Sequence, residues 1–276
     1  MKNEEAKPRI VYDEFDPVFE AEEDFILLFS EQTYDFLTPD LSSKDIAHIN
    51  PRRFYDDKLR DMYDHNFTHF DEELNEDMYN ALEAFRHTRG ENFAKYVGLC
   101  RSPFLLSKGF DEEEIITMAK RDYLNFPKKE IPGLSFDNIR DNPSFLDELI
   151  AIEISEYGQD YGASFCSRRW IRYADKIKEG DNGLNIFGAF IDGKLVGYCY
   201  SFYSRNTVCI DSLLVVPSYR NRYIATSLLA HVASKFGCLI YLHASEEETA
   251  KQMYAKLGFE ILLSTYEYLR IDKKEE

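Results

Sequence analysis

Two arginines, Arg220 and Arg222, stand between an apolar run that stops at Pro217 (Leu213, Leu214, Val215, Val216) and apolar residues at helical spacing (Ile224, Ala225, Leu228, Leu229). Strand, arginine-bearing loop and helix are the order expected over Asp211 to Leu229. The first N–H groups of a helix have no partner within it, and its aligned peptide dipoles leave roughly half a positive charge there, so this junction suits a phosphate. Two solvated arginines after a proline turn would be the plainer account; their place where strand meets helix favours an anion. His65 and His69, at i and i+4 beside Asp61, Asp64 and Asp71, have a spacing that could ligate a metal from one helix face. No motif completes such a site, so no metal is expected and the pair reads as solvated surface.

The elements that position the arginines follow from pattern. Leu134 to Ile139 reads as a strand, Asp141 or Asn142 caps a helix that opens with Pro143 and runs towards Tyr157, and a second helix spans about Ser164 to Ile177. Asn185 to Phe190 and Lys194 to Tyr203 are strands joined at Asp192-Gly193, a hairpin turn whose two positions need positive φ. Thr207 to Val216 is the strand before the arginine loop, and the helix after it reaches about Phe236. Cys238 to Ala244 is a parallel strand, Glu246 to Leu257 a helix closed by Gly258, and Phe259 to Ile271 a last strand that could be split in two. In the first half, Arg9 to Tyr12 could form a short strand, and the run FILLF begins at Phe25. A helical pattern lies between Ser43 and Gly90, with caps at Ser42 or Ser43 and Met78, Leu82 and Phe85 on one stripe. Phe93 to Leu99 reads as a strand, Pro103 to Lys108 as a connection, and Ile115 to Tyr123 as extended or mixed.

A chain of 276 residues, 44% hydrophobic and 15% aromatic, has material for two well-filled cores. Its net charge of −17 is uneven, −13 over residues 1–130 and −4 over 131–276, and LNFPKKEIPGL at 124–134 reads as a linker. We therefore expect an N-terminal domain over 1–130 and a second over 131–276. So acidic a balance argues against nucleic-acid binding and suits a cationic partner such as an amine. The acidic runs Asp71 to Asp77 and Asp111 to Glu114 read as solvated faces. Five widely spaced cysteines without a CxxC pair read as reduced core residues, and no signal peptide or apolar run of membrane-spanning length is present. A soluble cytoplasmic protein without membrane association is expected, and a homodimer is left open.

The element order from Leu134 to Ile271, with VVPSYRNRYIATSLL after the third hairpin strand and AKQMYAKLGF before the last strand, resembles the GNAT (Gcn5-related N-acetyltransferase) superfamily. The resemblance implies an α/β fold with a mixed sheet, preceded here by a second N-terminal α/β domain. The family's phosphate-binding signature is Arg or Gln, two residues, Gly, one residue, then Gly or Ala. Arg220 and Ala225 match it and Tyr223 replaces the middle glycine. A tyrosine there can take helical φ and offer its N–H, with its ring turned from the ligand or obstructing it. The resemblance implies that the backbone amides of Arg220, Asn221, Arg222, Tyr223, Ile224, Ala225 and Thr226 hold the pyrophosphate of acetyl-CoA as co-substrate. It further implies that the strand end Leu214, Val215 and Val216 splays and pairs with the pantetheine arm.

In the second motif, Ala250, Met253, Tyr254, Leu257, Gly258 and Phe259, the resemblance gives Tyr254 the task of protonating the leaving thiolate, for which a phenol has the O–H donor. Packing on the sheet is the plain alternative. Seven residues earlier the family commonly has asparagine, and this chain has Glu247. An amine must be neutral to attack a thioester, so a base or water chain is needed with a donor for the oxyanion. If no bulge intervenes, alternation puts Asp211 on one face with Leu213 and Val215, which makes it the base candidate. Glu267 is the reserve, and a backbone N–H near Val215 or Val216 the oxyanion donor. Trp170, with Arg168, Arg169 and Arg172 on the second helix, reads as packing more than acceptor recognition.

The function implied is acetyl-CoA-dependent N-acetyl transfer to a primary amine of a small molecule or peptide, an acyltransferase acting by direct attack in a ternary complex. The alternative is a non-catalytic CoA-binding or regulatory protein on the same scaffold, which Tyr223 and Glu247 favour. GENFAKYVGL with SKGFDEEEIITMAKRDYL also parallels GCLIYLHA with AKLGFEILLSTYEYLRI, which suggests that the N-terminal half is a degenerate GNAT-like repeat without a phosphate loop.

Overall fold

Apolar alternation and Gly-bounded turns resolve, in chain order, into β1 (Arg52–Arg53), β2 (Thr68–Phe70), α1 (Glu76–Thr88), β3 (Phe93–Gly98), α2 (Pro103–Ser107), β4 (Asp111–Lys120) and β5 (Leu134–Asn138). There follow α3 (Leu146–Tyr161), α4 (Ala163–Glu179), β6 (Leu184–Ile191), β7 (Lys194–Ser204), β8 (Thr207–Val215), α5 (Ile224–Phe236), β9 (Leu239–Ser245), α6 (Ala250–Lys256) and β10 (Glu260–Ile271). The computed structural model describes residues 52–53, 56, 58–70, 73–179, 183–204, 207–245 and 250–272. Among them, those of Met1–Ile116 and Leu263–Glu276 form one compact unit and those of Thr117–Leu262 a second, which takes in the 124–134 segment. Arg9 to Tyr12, the run from Phe25, Ser42, Ser43 and Glu247 lie outside the described residues.

In the second unit β5, β6, β7 and β8 pair antiparallel in that order, and β9 joins β8 in parallel. The β6–β7 turn is the one its residues demand, with φ of 51° at Asp192 and 79° at Gly193. One sheet face carries Tyr198 and Tyr200, and α4 covers it: Trp170 meets Tyr198 edge-on at 5.2 Å, and Tyr173 stacks on Tyr200 at 4.3 Å and 3°. The other face carries Phe187, whose ring lies 5.9 Å from His231 and 6.0 Å from Phe236 on α5. The start of α5 comes close to the sheet at Gly197, where a Cβ would lie 2.9 Å from the Leu214 carbonyl and 3.5 Å from Ile224 Cγ2. Trp170, expected as packing, is fully buried.

In the first unit β2 pairs antiparallel with β1 and parallel with β3, and β3 pairs antiparallel with β10 from Gly98↔Tyr266 to Phe93↔Ile271. Its core gathers Phe70, Leu74, Tyr79, Tyr96, Leu105, Phe110 and Tyr268. Strand, 13-residue helix, parallel strand, short helix and strand thus occur twice, as β2-α1-β3-α2-β4 and as β8-α5-β9-α6-β10. The last strands are not kept at home. β10 follows α6 in sequence yet pairs with β3 in the first unit, while Thr117 on β4 bonds His243 of β9 in the second.

Several expectations change. Among the described residues of the 43–90 region the α-helix is α1, which Asn75 caps by accepting from Met78 N at 2.9 Å. Tyr79 and Arg86 are its buried residues and Leu82 packs against the core as expected, while Met78 and Phe85 are each 40% exposed, so the stripe is rotated from the one expected. Arg86 turns inward because it bonds Glu83, Asp272 and the carbonyls of Glu91 and Phe93, which satisfies a buried guanidinium. Pro103–Ser107 is a short helix capped by Ser102 rather than an irregular connection, and β10 is one strand. His65 and His69 are buried, not solvated, and stand on a 3-10 turn and on β2 rather than one helix; His65 Nδ1 lies 3.0 Å from Asp56 Oδ2. No group of three metal-ligating side chains occurs among the described residues. Four cysteines are buried as expected, and Cys100 is exposed.

Candidate functional site

The site begins where two parallel strands part. β8 pairs with β9 from Thr207↔Leu239 to Ile210↔Leu242 and no further, although β8 runs on to Val215 and β9 to Ser245. The cause lies in β8 itself. Tyr198 faces Leu214 and Tyr200 faces Asp211, so Cys199 is opposed by both Ser212 and Leu213 in a bulge, with Ser212 at φ 50°. A bulge bends its strand and raises the local twist, which carries β8 away from β9.

The same bulge breaks the alternation from which Asp211 was placed. Asp211 shares a face with Tyr200, Tyr198 and Leu214, not with Leu213 and Val215. It is exposed, and its Oδ1 accepts from Ser212 N at 2.6 Å. By the β8–β9 register His243 is the corresponding residue on β9, on the same face as Asp211. Its Nδ1 lies 3.1 Å from Thr117 Oγ1, and burial pushes its pKa down to about 4, so the ring is neutral at neutral pH. Sequence reasoning passed over His243 because a lone histidine in an apolar strand carries no motif.

Beyond Val215 the chain makes a 3-10 turn, Pro217–Tyr219, and enters α5 through Arg220–Tyr223. Val216 N donates to Val196 O at 3.0 Å, so the end of β8 stays tied to β7. Asn221 has φ 63° and Tyr223 φ 65°. The expectation that Tyr223 takes helical φ is corrected: the position uses the left-handed conformation for which glycine is suited, and a bulky residue holds it at a cost of about 1–2 kcal/mol. The residue is 47% exposed, and its ring lies beneath Lys129, whose Nζ is 4.9 Å from the ring centroid. No side chain caps α5 and no acid stands in its first turn, whereas Asn75 caps α1 beside Glu76 and Asp77. The first amides of α5, Ile224 to Thr226, therefore form the opening suited to an anion.

Arg220 is divided. Its Nε donates to the Val215 carbonyl at 2.9 Å and its Nη2 to Glu156 Oε2 on α3 at 3.0 Å. Arg222 lies over the Tyr219 ring at 5.2 Å. Tyr254 is buried on α6, 8% exposed, its ring 5.7 Å from Phe259, and its carbonyl accepts from Leu257 N and Phe259 N. Glu267 stands on β10 in the first unit, paired with Lys95 at 2.5 Å. Burial raises its pKa, while Lys95 opposes that shift.

Next to the opening, α3 and α4 carry a buried polar group. Glu153, 1% exposed, accepts from Arg169 and from the Tyr198 hydroxyl, and burial raises the Tyr198 pKa. Trp170 Nε1 and the Tyr200 hydroxyl are buried without a hydrogen-bond partner.

A bulged strand thus parts from its parallel neighbour and runs into an uncapped helix. Residues 146–259 match the model of the Acetyltransferase (GNAT) family, and the C-terminal half of the chain is a GNAT-superfamily domain. Solved structures agree in fold. A conserved protein of unknown function from Staphylococcus epidermidis superposes with a TM-score of 0.67 at 14% identity, over 85% of this chain and 99% of that one. A GCN5-related N-acetyltransferase from Sphaerobacter thermophilus gives 0.54 at 17% identity, over 72% of this chain and 70% of that one. Another from Kribbella flavida gives 0.54 at 15% identity, over 79% and 89%. At these identities the likeness is one of fold, a mixed α/β GNAT domain with a further α/β unit. No curated protein matches the chain in sequence. Among the described residues no helix is long and apolar enough to cross a membrane.

Proposed function

We propose that the second unit is an acetyl-CoA-dependent N-acetyltransferase, passing the acetyl group to a primary amine of a small molecule or peptide by direct attack in a ternary complex. The observation that carries this is the end of β8–β9 pairing at Ile210↔Leu242, directly before the uncapped start of α5. The parted strands leave backbone groups for a pantetheine arm; the amides of Asn221 to Thr226 take its pyrophosphate, Arg220 N being already donated to Pro217 O. The neutral amine attacks the thioester carbonyl, a backbone N–H near Val215 stabilises the oxyanion, Val216 N being already donated to Val196 O, and the C–S bond breaks as Tyr254 protonates the leaving thiolate. Asp211, exposed at the bulge, takes the amine's proton. We place the reaction in the cytoplasm.

If CoA binds near 10 micromolar, 1 millimolar ligand stabilises the fold by about 2.7 kcal/mol. A melting experiment with acetyl-CoA, propionyl-CoA and CoA tests this, and no shift with any of them refutes the reading. Tyr254→Phe should lower kcat by about 10²-fold with little change in acetyl-CoA affinity; a comparable loss of binding instead would assign Tyr254 to packing.

For the first unit we propose a repeat of the same half-fold without a phosphate site. In the place of the arginine loop it has Glu73, whose Oε1 accepts from Ser102 Oγ at 2.8 Å and Phe104 N at 3.2 Å, and the Asn75 cap. In place of the parted strands the Phe70 ring fills the space above Gly98. One CoA per chain is the expected stoichiometry by calorimetry, and two would overturn it. The second reading is a non-catalytic CoA-binding or regulatory protein on the same scaffold, which the strained Tyr223 in the glycine position favours; CoA binding with no acetylation of any amine offered would select it.

A further inference from the structure

Tyr223 stands where glycine would open the phosphate loop, and its ring does something a glycine could not. Lys129, from the segment between β4 and β5, lies with its ammonium 4.9 Å from the ring centroid. The face of a phenol ring attracts a cation, so the lysine is held on the residue at the N-cap position of α5, whose side chain makes no capping bond. Tyr223 is 47% exposed and Lys129 is exposed, so the ammonium is hydrated and within reach of a ligand. The ring meets Lys129 from a backbone held at a left-handed φ of 65°.

We propose that Lys129 is a phosphate-binding residue of the acetyl-CoA site, presented by the Tyr223 ring. This rests on the acetyl-CoA reading above and adds a cation from outside the loop and helix. Lysine binds phosphate as a point charge, so the pair needs no directional geometry, only proximity. The side chain in the glycine position then offsets through a cation part of what it costs in access to the backbone. CoA offers two phosphate sources, the pyrophosphate and the 3′-phosphate, and truncated ligands separate them.

The test is calorimetric titration of the full chain with CoA, dephospho-CoA and pantetheine. Lys129→Ala, which removes the ammonium and its charge-assisted bond to phosphate, should weaken CoA about tenfold or more and leave pantetheine unchanged. An equal weakening for dephospho-CoA assigns the ammonium to the pyrophosphate, and a weakening confined to CoA assigns it to the 3′-phosphate; both support the proposal. Tyr223→Phe, which keeps a π face, should lose less CoA affinity than Tyr223→Leu. Tyr223→Leu, which keeps bulk without a π face, should weaken CoA as Lys129→Ala does, with the double variant no worse than either single one. Lys128→Ala, the neighbouring lysine, should bind as the parent does. A Lys129→Ala chain that binds CoA within twofold of the parent, or that loses CoA and pantetheine equally, overturns the proposal while leaving the acetyl-CoA reading intact. A parent chain that binds none of the three ligands overturns both.

Discussion

The guanidinium of Arg220 bridges the Val215 carbonyl and the Glu156 carboxylate, at 2.9 and 3.0 Å, and so ties the loop before α5 to α3. The Arg220 side chain is 52% exposed and that of Glu156 22%, so the pair itself adds little stability. Its consequence is for the ligand, because a polyanion entering the loop competes with Glu156 for Arg220. Glu156→Gln should tighten CoA binding by up to about fivefold, the equivalent of roughly 1 kcal/mol, with the melting temperature of the free protein unchanged within a degree or two. Titration calorimetry reads this directly, and weaker binding would mean that Glu156 positions Arg220 for the ligand.

The strain at Tyr223 can be read apart from its ring. Tyr223→Ala and Tyr223→Gly both remove the ring that holds Lys129, but only glycine adopts φ 65° without cost. The glycine variant should be more stable than the alanine variant by about 1 kcal/mol in urea unfolding. Equal stabilities would show that the loop relaxes to another conformation.

His243 gives the second unit an acid-sensitive point. Burial lowers its pKa from the ordinary 6.5 to about 4, so the unfolded chain binds the proton more tightly than the folded one. Its contribution is complete above about pH 6.5 and is lost as pH falls towards 4, at about 1.4 kcal/mol per pH unit below 6.5. Melting curves of the parent and His243→Gln, compared between pH 7.5 and 4.5, should differ progressively, the variant being less sensitive. His231 is also lowered, by burial and by Lys235, and is common to both chains, so the difference isolates His243.

Glu153 is the buried carboxylate on which α3, α4 and β7 converge. Glu153→Ala strands the Arg169 guanidinium and the Tyr198 hydroxyl and should cost about 3–5 kcal/mol, while Glu153→Gln, which keeps an acceptor oxygen, should cost less. Trp170, the chain's one tryptophan, meets Tyr198 at 5.2 Å and reports this unit in fluorescence-detected urea unfolding. A Glu153→Ala variant within 1 kcal/mol of the parent would show that water replaces the carboxylate.

Much of the second unit was legible because its elements are locally encoded. Asp192-Gly193 makes its turn, α5 ends at Phe236 where the apolar spacing stops, and the order from β5 to β10 is the one expected. The face of Asp211 was not legible, since a single inserted residue in β8, Ser212 at φ 50°, inverts the alternation and leaves no mark in composition. The inward face of α1 was misread for a related reason: Arg86 is buried through partners 186 residues away and nearby, and hydrophobic spacing cannot see a satisfied charge.

By itself the sequence determined the succession of strands and helices and the arginine loop between β8 and α5, because turn residues, caps and apolar spacing act over a few neighbours. Only the tertiary structure decided that β8 and β9 part after Ile210 and Leu242, that Tyr223 adopts a glycine-like backbone under Lys129, and that β10 pairs with β3 rather than closing its own repeat. Each of these depends on register, backbone dihedral or pairing between distant segments, which are set by packing across the fold and not by any local run of residues.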